Sequence, residues 1–231
     1  MDLMNHPHSE QEAHRVQASR EELVVRMADA IREDGTVEPL EGLQLRRASS
    51  PTELGHGVSY PALCLIAQGS KEILLGDNRY RYDPAHYLIT TAALPITSRI
   101  SEAEEERPYL GLVLRLDPTL VGSVMVEAGQ PTSRGQAAVR AIDVSPLDAG
   151  LLDATVRLVR LLDSPIAEAR FLAPLIKREI VYRLLKGEQS GRLSQVAALG
   201  GSTHRIVEAI ERLRKEFDQP LRIDYLRESS G

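Results

Sequence analysis

The sequence predicts an α+β protein: a small antiparallel β-sandwich or barrel followed by an all-helical region. Three observations carry this. Between Leu43 and Leu116, short apolar or alternating runs recur, separated by Pro, Gly, Asp and Asn. From Asp117 onward the hydrophobic period lengthens from two toward about 3.6. The strands come first and the helices after, an order that separates the two kinds of element instead of alternating them as a parallel sheet requires.

Taken in order, Met1 to Gln17 is polar, carries His6, His8 and His14, shows no periodicity and is expected to be a disordered leader. Glu21 to Arg32 reads as a short amphipathic helix with Leu23, Met27, Ala30 and Ile31 on one side, closed by Asp34-Gly35. The strand candidates are Leu43 and Leu45, then Ala62 to Ala67, Ile73 to Leu75, Arg79 to Tyr82, Tyr87 to Thr91, Ile96 to Ile100 and Tyr109 to Leu116. Gly76-Asp77-Asn78 supplies a tight hairpin turn between two of them. In the last run Leu110, Leu112, Leu114 and Leu116 all point one way, as a half-buried strand requires.

The helices follow. Asp117-Pro118 starts one that runs to Glu127, Ser145-Pro146 starts another that runs to Leu162, and Leu172 to Lys186 forms a third that ends at Gly187. The second carries Leu151, Leu152, Val156, Leu158, Val159, Leu161 and Leu162, a stripe broad enough to leave surplus apolar surface for a second copy of the chain. Gly187 to Gly191 and Ala198 to Ser202 read as connectors. Beyond them Ile206, Ile210, Leu213 and Phe217 form one apolar stripe on a helix capped by Ser202 and stopped by Pro220. The division expected from these signals is a leader over 1–17, a sandwich or barrel with its N-terminal helix over 18–116, a helical region over 117–200 and a helix-turn-helix start over 201–231.

Three segments carry a family resemblance. IVEAIERLRKEFDQPLRIDYL (Ile206 to Leu226) resembles the first helix and turn of the DNA-binding domain of AraC/XylS-type transcriptional regulators. YPALCLIAQGSKEILLGDNRYRYDPAHYLITTAALP (Tyr60 to Pro95) and LAPLIKREIVYRLLKGEQSGRL (Leu172 to Leu193) resemble the N-terminal sensor domain of one branch of that family. The resemblance implies a cupin-like sensor barrel, a dimerising and linking region over 117–200, a small-molecule effector and a homodimer. Where the family pattern has a small residue after the leucine matching Leu226 and then a recognition helix, this sequence has Arg227 and ends at Gly231. The expectation is therefore an incomplete first helix-turn-helix, with sequence-specific DNA binding belonging only to a full-length parent.

Composition sets the outer limits. A chain of 231 residues with 42% hydrophobic residues can bury a full core. The longest apolar runs, Leu63 to Ala67 and Leu110 to Leu114, fall far short of the roughly 20 residues of a membrane helix, and the polar N-terminus has no secretory apolar stretch. A cytoplasmic protein without a membrane partner is expected. Cys64 is the single cysteine and reads as a small buried hydrophobe. The net charge of −5 is uneven, for Arg170 to Gly231 holds 12 Lys and Arg against 8 Asp and Glu while the preceding part stands at −9. Only the tail is compatible with phosphate contact.

The chemistry signals are mostly negative. His56 and His86 are the only histidines of the β region and have no H-x-H partner, so no metal is expected. The sequence lacks a G-x-S-x-G elbow and the phosphate-cradling glycine patterns, and Glu102, Glu104, Glu105 and Glu106 read as a solvated loop. The expectation is a non-enzyme without cofactor; a metal-free cupin enzyme and a regulator-like module acting through mixed dimers are the alternatives. What remains is a pocket among the strands, with Tyr60, Cys64, Gln68, Tyr80, Tyr82, His86, Tyr87 and Thr91 as candidate ligand-binding residues. No charge is securely placed inside the barrel, so an uncharged or weakly polar small molecule is the expected effector.

Overall fold

The computed structural model describes residues 6–129 and 140–198. Helix α1 (His6–Ala30) precedes nine strands: β1 (Gly35–Leu40), β2 (Leu43–Ala48), β3 (Gly55–Val58), β4 (Ala62–Gln68), β5 (Ser70–Leu75), β6 (Asn78–Tyr82), β7 (His86–Thr90), β8 (Pro95–Glu102) and β9 (Tyr109–Arg115). Then come α2 (Pro118–Glu127), β10 (Ile142–Pro146), α3 (Ala149–Arg160), a 3-10 turn at Leu161–Asp163, and α4 (Ile166–Lys186). Residues 190–198 are helical again. The strands form two antiparallel sheets, one in the order β1-β2-β9-β4-β7-β10 and one in the order β3-β8-β5-β6. The α+β class and the sequence of sandwich then helices are as expected.

Alternation explains the two layers of core. On β4, Leu63, Leu65 and Ala67 face the helices while Ala62, Cys64 and Ile66 face the smaller sheet. On β9 the leucines at 110, 112 and 114 face the helices, which sends Tyr109 and Val113 inward. The helix-side cluster joins these leucines to Leu23 and Met27 of α1, to the apolar face of α3 and to Ile180, Val181, Leu184 and Leu185 of α4. Each Leu or Ile sealed this way contributes about 1.5–3 kcal/mol.

The local signals are visible in the geometry. Gly76 has φ 57°, which the first position of a two-residue turn needs, and β5 and β6 pair across it from Leu75 and Asn78. Asp117 accepts a hydrogen bond from the Thr119 amide at 2.8 Å with Pro118 behind it, and α2 starts there as expected.

Four local expectations are corrected. The helix expected from Glu21 begins at His6. Its first turns are rich in Glu, Gln, Ala and Arg, good helix formers that need no apolar stripe, and Gln17 donates to Glu21 at 2.7 Å one turn on. The region 117–200 is not all helical, because Ile142–Pro146 adds to β7 as an edge strand in the register Ile142↔Thr90 and Ser145↔Tyr87. Helix α3 therefore starts later than Ser145-Pro146, at the cap Asp148, whose carboxylate accepts from the Leu151 amide at 2.9 Å. The apolar residues of α3 are buried within the chain against α1 and α4, so α3 offers no surplus surface. The helix-turn-helix expectation over 201–231 lies outside the described residues. No helix among those described is long and apolar enough to cross a membrane.

Candidate functional site

The inner faces of the two sheets grade from buried to partly exposed residues. Cys64, Ile66, Tyr82, Ile100, Tyr109 and Ile142 are buried, while Gln44, Tyr60, Leu75, Ile96, Ser98 and Val113 on the same inner faces are partly exposed. Along β9 alone the inner side runs from buried Tyr109 through Val113 to exposed Arg115. Strand β6 lies close to β7 and β10, so one long side of the sandwich is covered.

Four of the eight candidate residues come together here. The Tyr82 hydroxyl lies beside the Cys64 thiol and the Tyr109 hydroxyl. Tyr80 is buried two residues away on β6, and Tyr60 lies at the accessible end, where its hydroxyl donates to Gln44 Oε1 at 2.8 Å. The Arg115 guanidinium stacks 4.5 Å from the centre of the Tyr60 ring. Gln68 ends β4 and donates to the Pro108 carbonyl at 2.7 Å, bracing a loop.

The other three candidates lie elsewhere. His86 is 42% exposed at the outer end of β7, where Nδ1 meets Asp83 Oδ1 at 2.8 Å. Tyr87 and Thr91 sit on the helix side of the sheet: the Tyr87 hydroxyl lies beside Ser145, and Thr91 donates to Gln195 Oε1 at 3.1 Å. A period of two sends Tyr87 opposite to Leu88, so eight residues dense in rings divide between the two faces.

The sequence reading missed Tyr109, which the inter-sheet cluster contains. Tyr109 was legible in part, because fixing the β9 leucines on the helix side fixes it on the inner side. Gly111 makes room for it, since a Cβ there would clash with the Tyr109 ring and hydroxyl.

The electrostatics keep the buried groups protonated. Burial pushes the Cys64 thiol up to about 11 and the Tyr82 and Tyr109 phenols well above their usual range. Burial likewise raises Tyr87 to about 12. At neutral pH these groups donate and accept hydrogen bonds; none is poised to abstract a proton. Among the described residues no three His, Cys, Asp or Glu side chains converge as metal ligands would. Two clefts open elsewhere, one of about 340 Å³ between α2 and α4 at Val124, Glu127, Arg178 and Tyr182, and one of about 630 Å³ between α1 and the start of α3 at Gln11, Arg15, Gly150 and Asp153.

The family model for the AraC-type transcriptional regulator N-terminus matches residues 39–192, which take in the sandwich and its helical flank. The chain belongs to that family. Among solved structures it is similar to an apo ToxT variant from Vibrio cholerae strain SCE256, at 10% identity and a TM-score of 0.41, covering 67% of this chain and 58% of that one. It is also similar to the AraC-like transcriptional activator CuxR, at 9% identity and a TM-score of 0.39, covering 63% of this chain and 52% of that one. The chain thus spans little more than half the length of each. No curated protein matches.

Proposed function

We propose that this chain is the effector-sensing and dimerising portion of an AraC-type regulator, with a small molecule held in a cupin-like chamber between the two sheets. The observation that carries the reading is the convergence of Tyr60, Cys64, Tyr80 and Tyr82 on inner faces that grade from sealed to accessible. Family membership supports regulation over catalysis. The effector acts by binding one of two arrangements of the regulator more tightly than the other, and its leverage is that difference in affinity. DNA contact is assigned to residues outside those described, in keeping with the negative charge of the sandwich.

Self-association is assigned to α4. Phe171, Leu175 and Tyr182 are 73%, 53% and 44% exposed and recur at i, i+4 and i+11, which forms one apolar row on an outer helix. A second copy would cover this row with its own by two-fold symmetry.

The test is a metabolite screen by thermal unfolding of the 231-residue chain, followed by Tyr82→Phe and Tyr60→Ala. A ligand that binds only the native state raises the midpoint by mass action. The expected result is a compound whose stabilisation is weakened by both substitutions; a hit that neither substitution affects rejects the chamber as its site.

A further inference from the structure

Among the described residues each sheet has two edges, and three of these edges are closed to further pairing. β1 carries Glu38 and Pro39 and shifts register between Val37 and Leu40. β10 ends on Pro146 and has Asp143 tied to Arg192. β6 carries Arg79 and Arg81 and lies against β10. Charge, proline and broken register are the devices by which an edge avoids joining another chain. β3 has none of them. Gly55-His56-Gly57-Val58 holds no Lys, Arg, Asp, Glu or Pro, pairs with β8 in unbroken register and is exposed along its whole length, with Val58 at 68%.

The phase of the β3–β8 ladder decides which backbone groups this edge presents. The Ser59 amide donates to the Leu94 carbonyl at 2.9 Å, just beyond the Val58↔Pro95 pair. In an antiparallel ladder a bond at that place makes Val58↔Pro95 a pair without mutual hydrogen bonds. Alternation then gives the bonds to Gly57↔Ile96 and Gly55↔Ser98 and leaves His56↔Thr97 without them. Pro95, which has no N–H to give, agrees with this phase. The N–H and C=O of His56 and Val58 therefore point away from β8, and among the described residues no other group meets them. The His56 ring does not cover the edge, for its Nδ1 lies 3.2 Å from the Thr97 hydroxyl of the neighbouring strand.

We propose that β3 pairs antiparallel with β3 of a second copy about a two-fold axis at Gly57, joining the two smaller sheets into one continuous sheet. In that register His56 lies opposite Val58 of the second copy and exchanges backbone bonds with it, and the symmetry repeats them, giving about four bonds in all. Gly57 meets its own counterpart at the non-bonded pair, where Cα atoms come to about 4.5 Å and neither copy has a side chain to interpose. A second copy is the occupant that the composition fits. A strand without Lys, Arg, Asp or Glu can face itself, whereas self-pairing at the other edges would bring Glu38, Arg79, Arg81 or Asp143 near its own like. The contact is separate from the α4 row and rests on no part of the effector-sensing reading. One short strand buries far less than the roughly 1,200 Å² of a standard interface, so its dissociation constant is about 0.1–1 mM. It acts between chains that another tie has already brought close.

The test is amide hydrogen exchange by nuclear magnetic resonance on the 231-residue chain at about 20 μM and about 1 mM, the span across which a contact of that strength fills. His56 and Val58 should exchange fast at the lower concentration and about two- to fivefold more slowly at the higher one. Phe171→Glu, which alters the α4 row, should keep this slowing. Val58→Pro removes an N–H that β8 does not use, so it should melt within a few degrees of the parent while His56 stays fast at both concentrations. Val58→Thr retains the N–H and should behave as the parent.

Exchange at His56 and Val58 that ignores concentration overturns the proposal, whatever the α4 variants do. Slow exchange already at the lower concentration overturns it too, because the edge is then covered within one chain. Slowing that persists in Val58→Pro, or vanishes in Phe171→Glu, assigns the association to another surface. A Val58→Pro chain that melts well below the parent shows that the N–H serves β8, and the proposed edge does not exist.

Discussion

The Gln189 side-chain amide donates to the Ser145 hydroxyl, and both residues are sealed from solvent at 0% and 3% exposure. Around this pair Arg192 meets Asp143 at 2.7 Å, Gln189 Oε1 at 2.9 Å and the Arg140 carbonyl at 3.2 Å, while Thr91 meets Gln195. The segment after α4 is thus fastened to β7 and β10 by polar contacts in an otherwise apolar setting.

Gln189→Ala removes one partner of a buried pair and frees Arg192 from its side. The expected loss is about 1–3 kcal/mol, because the Ser145 hydroxyl is left buried with one partner fewer. Urea unfolding measures it, and native-state proteolysis should show earlier cleavage after Lys186 than in the parent. An unchanged urea midpoint would show that the contact is not maintained in solution.

Glu22 ties α1 to α3. Arg160 grips both its oxygens at 2.7 Å and Arg26 reaches it at 2.6 Å. The Arg160 hydrogen bonds, ahead of those from Arg26, bring its carboxyl from 4.5 down to about 2. A carboxyl with a depressed folded-state value contributes stability that is present above its unfolded value and lost as pH falls through the folded one. Acid titration of unfolding should therefore show a loss between about pH 4.5 and 2 that Glu22→Gln flattens, with Glu22→Gln costing about 1–2 kcal/mol at neutral pH after allowance for solvent screening.

Cys64 should resist alkylation in the folded chain. Its thiol is buried and raised to about 11, so both access and thiolate are scarce at neutral pH. Disulfide exchange with an aromatic disulfide reagent should be slow in buffer and complete in denaturant; rapid labelling in buffer would refute this burial.

Gly111→Ala places a methyl where the Tyr109 ring lies. The ring has to leave its contact with Tyr82, at a cost of about 1–3 kcal/mol. The chain has no tryptophan, so near-ultraviolet dichroism reports its seven tyrosines directly and should change in the 280 nm band region, at about the tyrosine absorption.

Phe171→Glu or Leu175→Ser should convert a dimer to a monomer in sedimentation at tens of micromolar without lowering the thermal midpoint of the monomer, because both side chains are mostly exposed. A parent chain that sediments as a monomer under the same conditions rules out the α4 interface.

Legibility followed the range of the interaction. The β9 leucines, the Gly76 turn and the Asp117-Pro118 cap depend on neighbours a few residues away and could be read directly. Strand β10 could not, since its five residues alternate only weakly and acquire their identity by pairing with β7, more than fifty residues earlier. Its Ser145-Pro146 mimics a helix start. Within the candidate site, Cys64 and Tyr82 were legible as strand residues, but their meeting with Tyr109 depends on the stacking of two sheets.

Strand β7 faces the cluster between the sheets on one side, through Leu88, and the grip on residues 187–198 on the other, through Tyr87 and Thr91. The path from an occupant to the chain that leads onward is one strand thick. A peptide backbone does not compress, so a displacement imposed on Leu88 is delivered to Tyr87 and its Ser145 contact without any lever or distant hinge. Under the proposed reading, an occupant would act on this strand only by how differently it binds the strand's two positions, so that a tight binder indifferent to them would be silent.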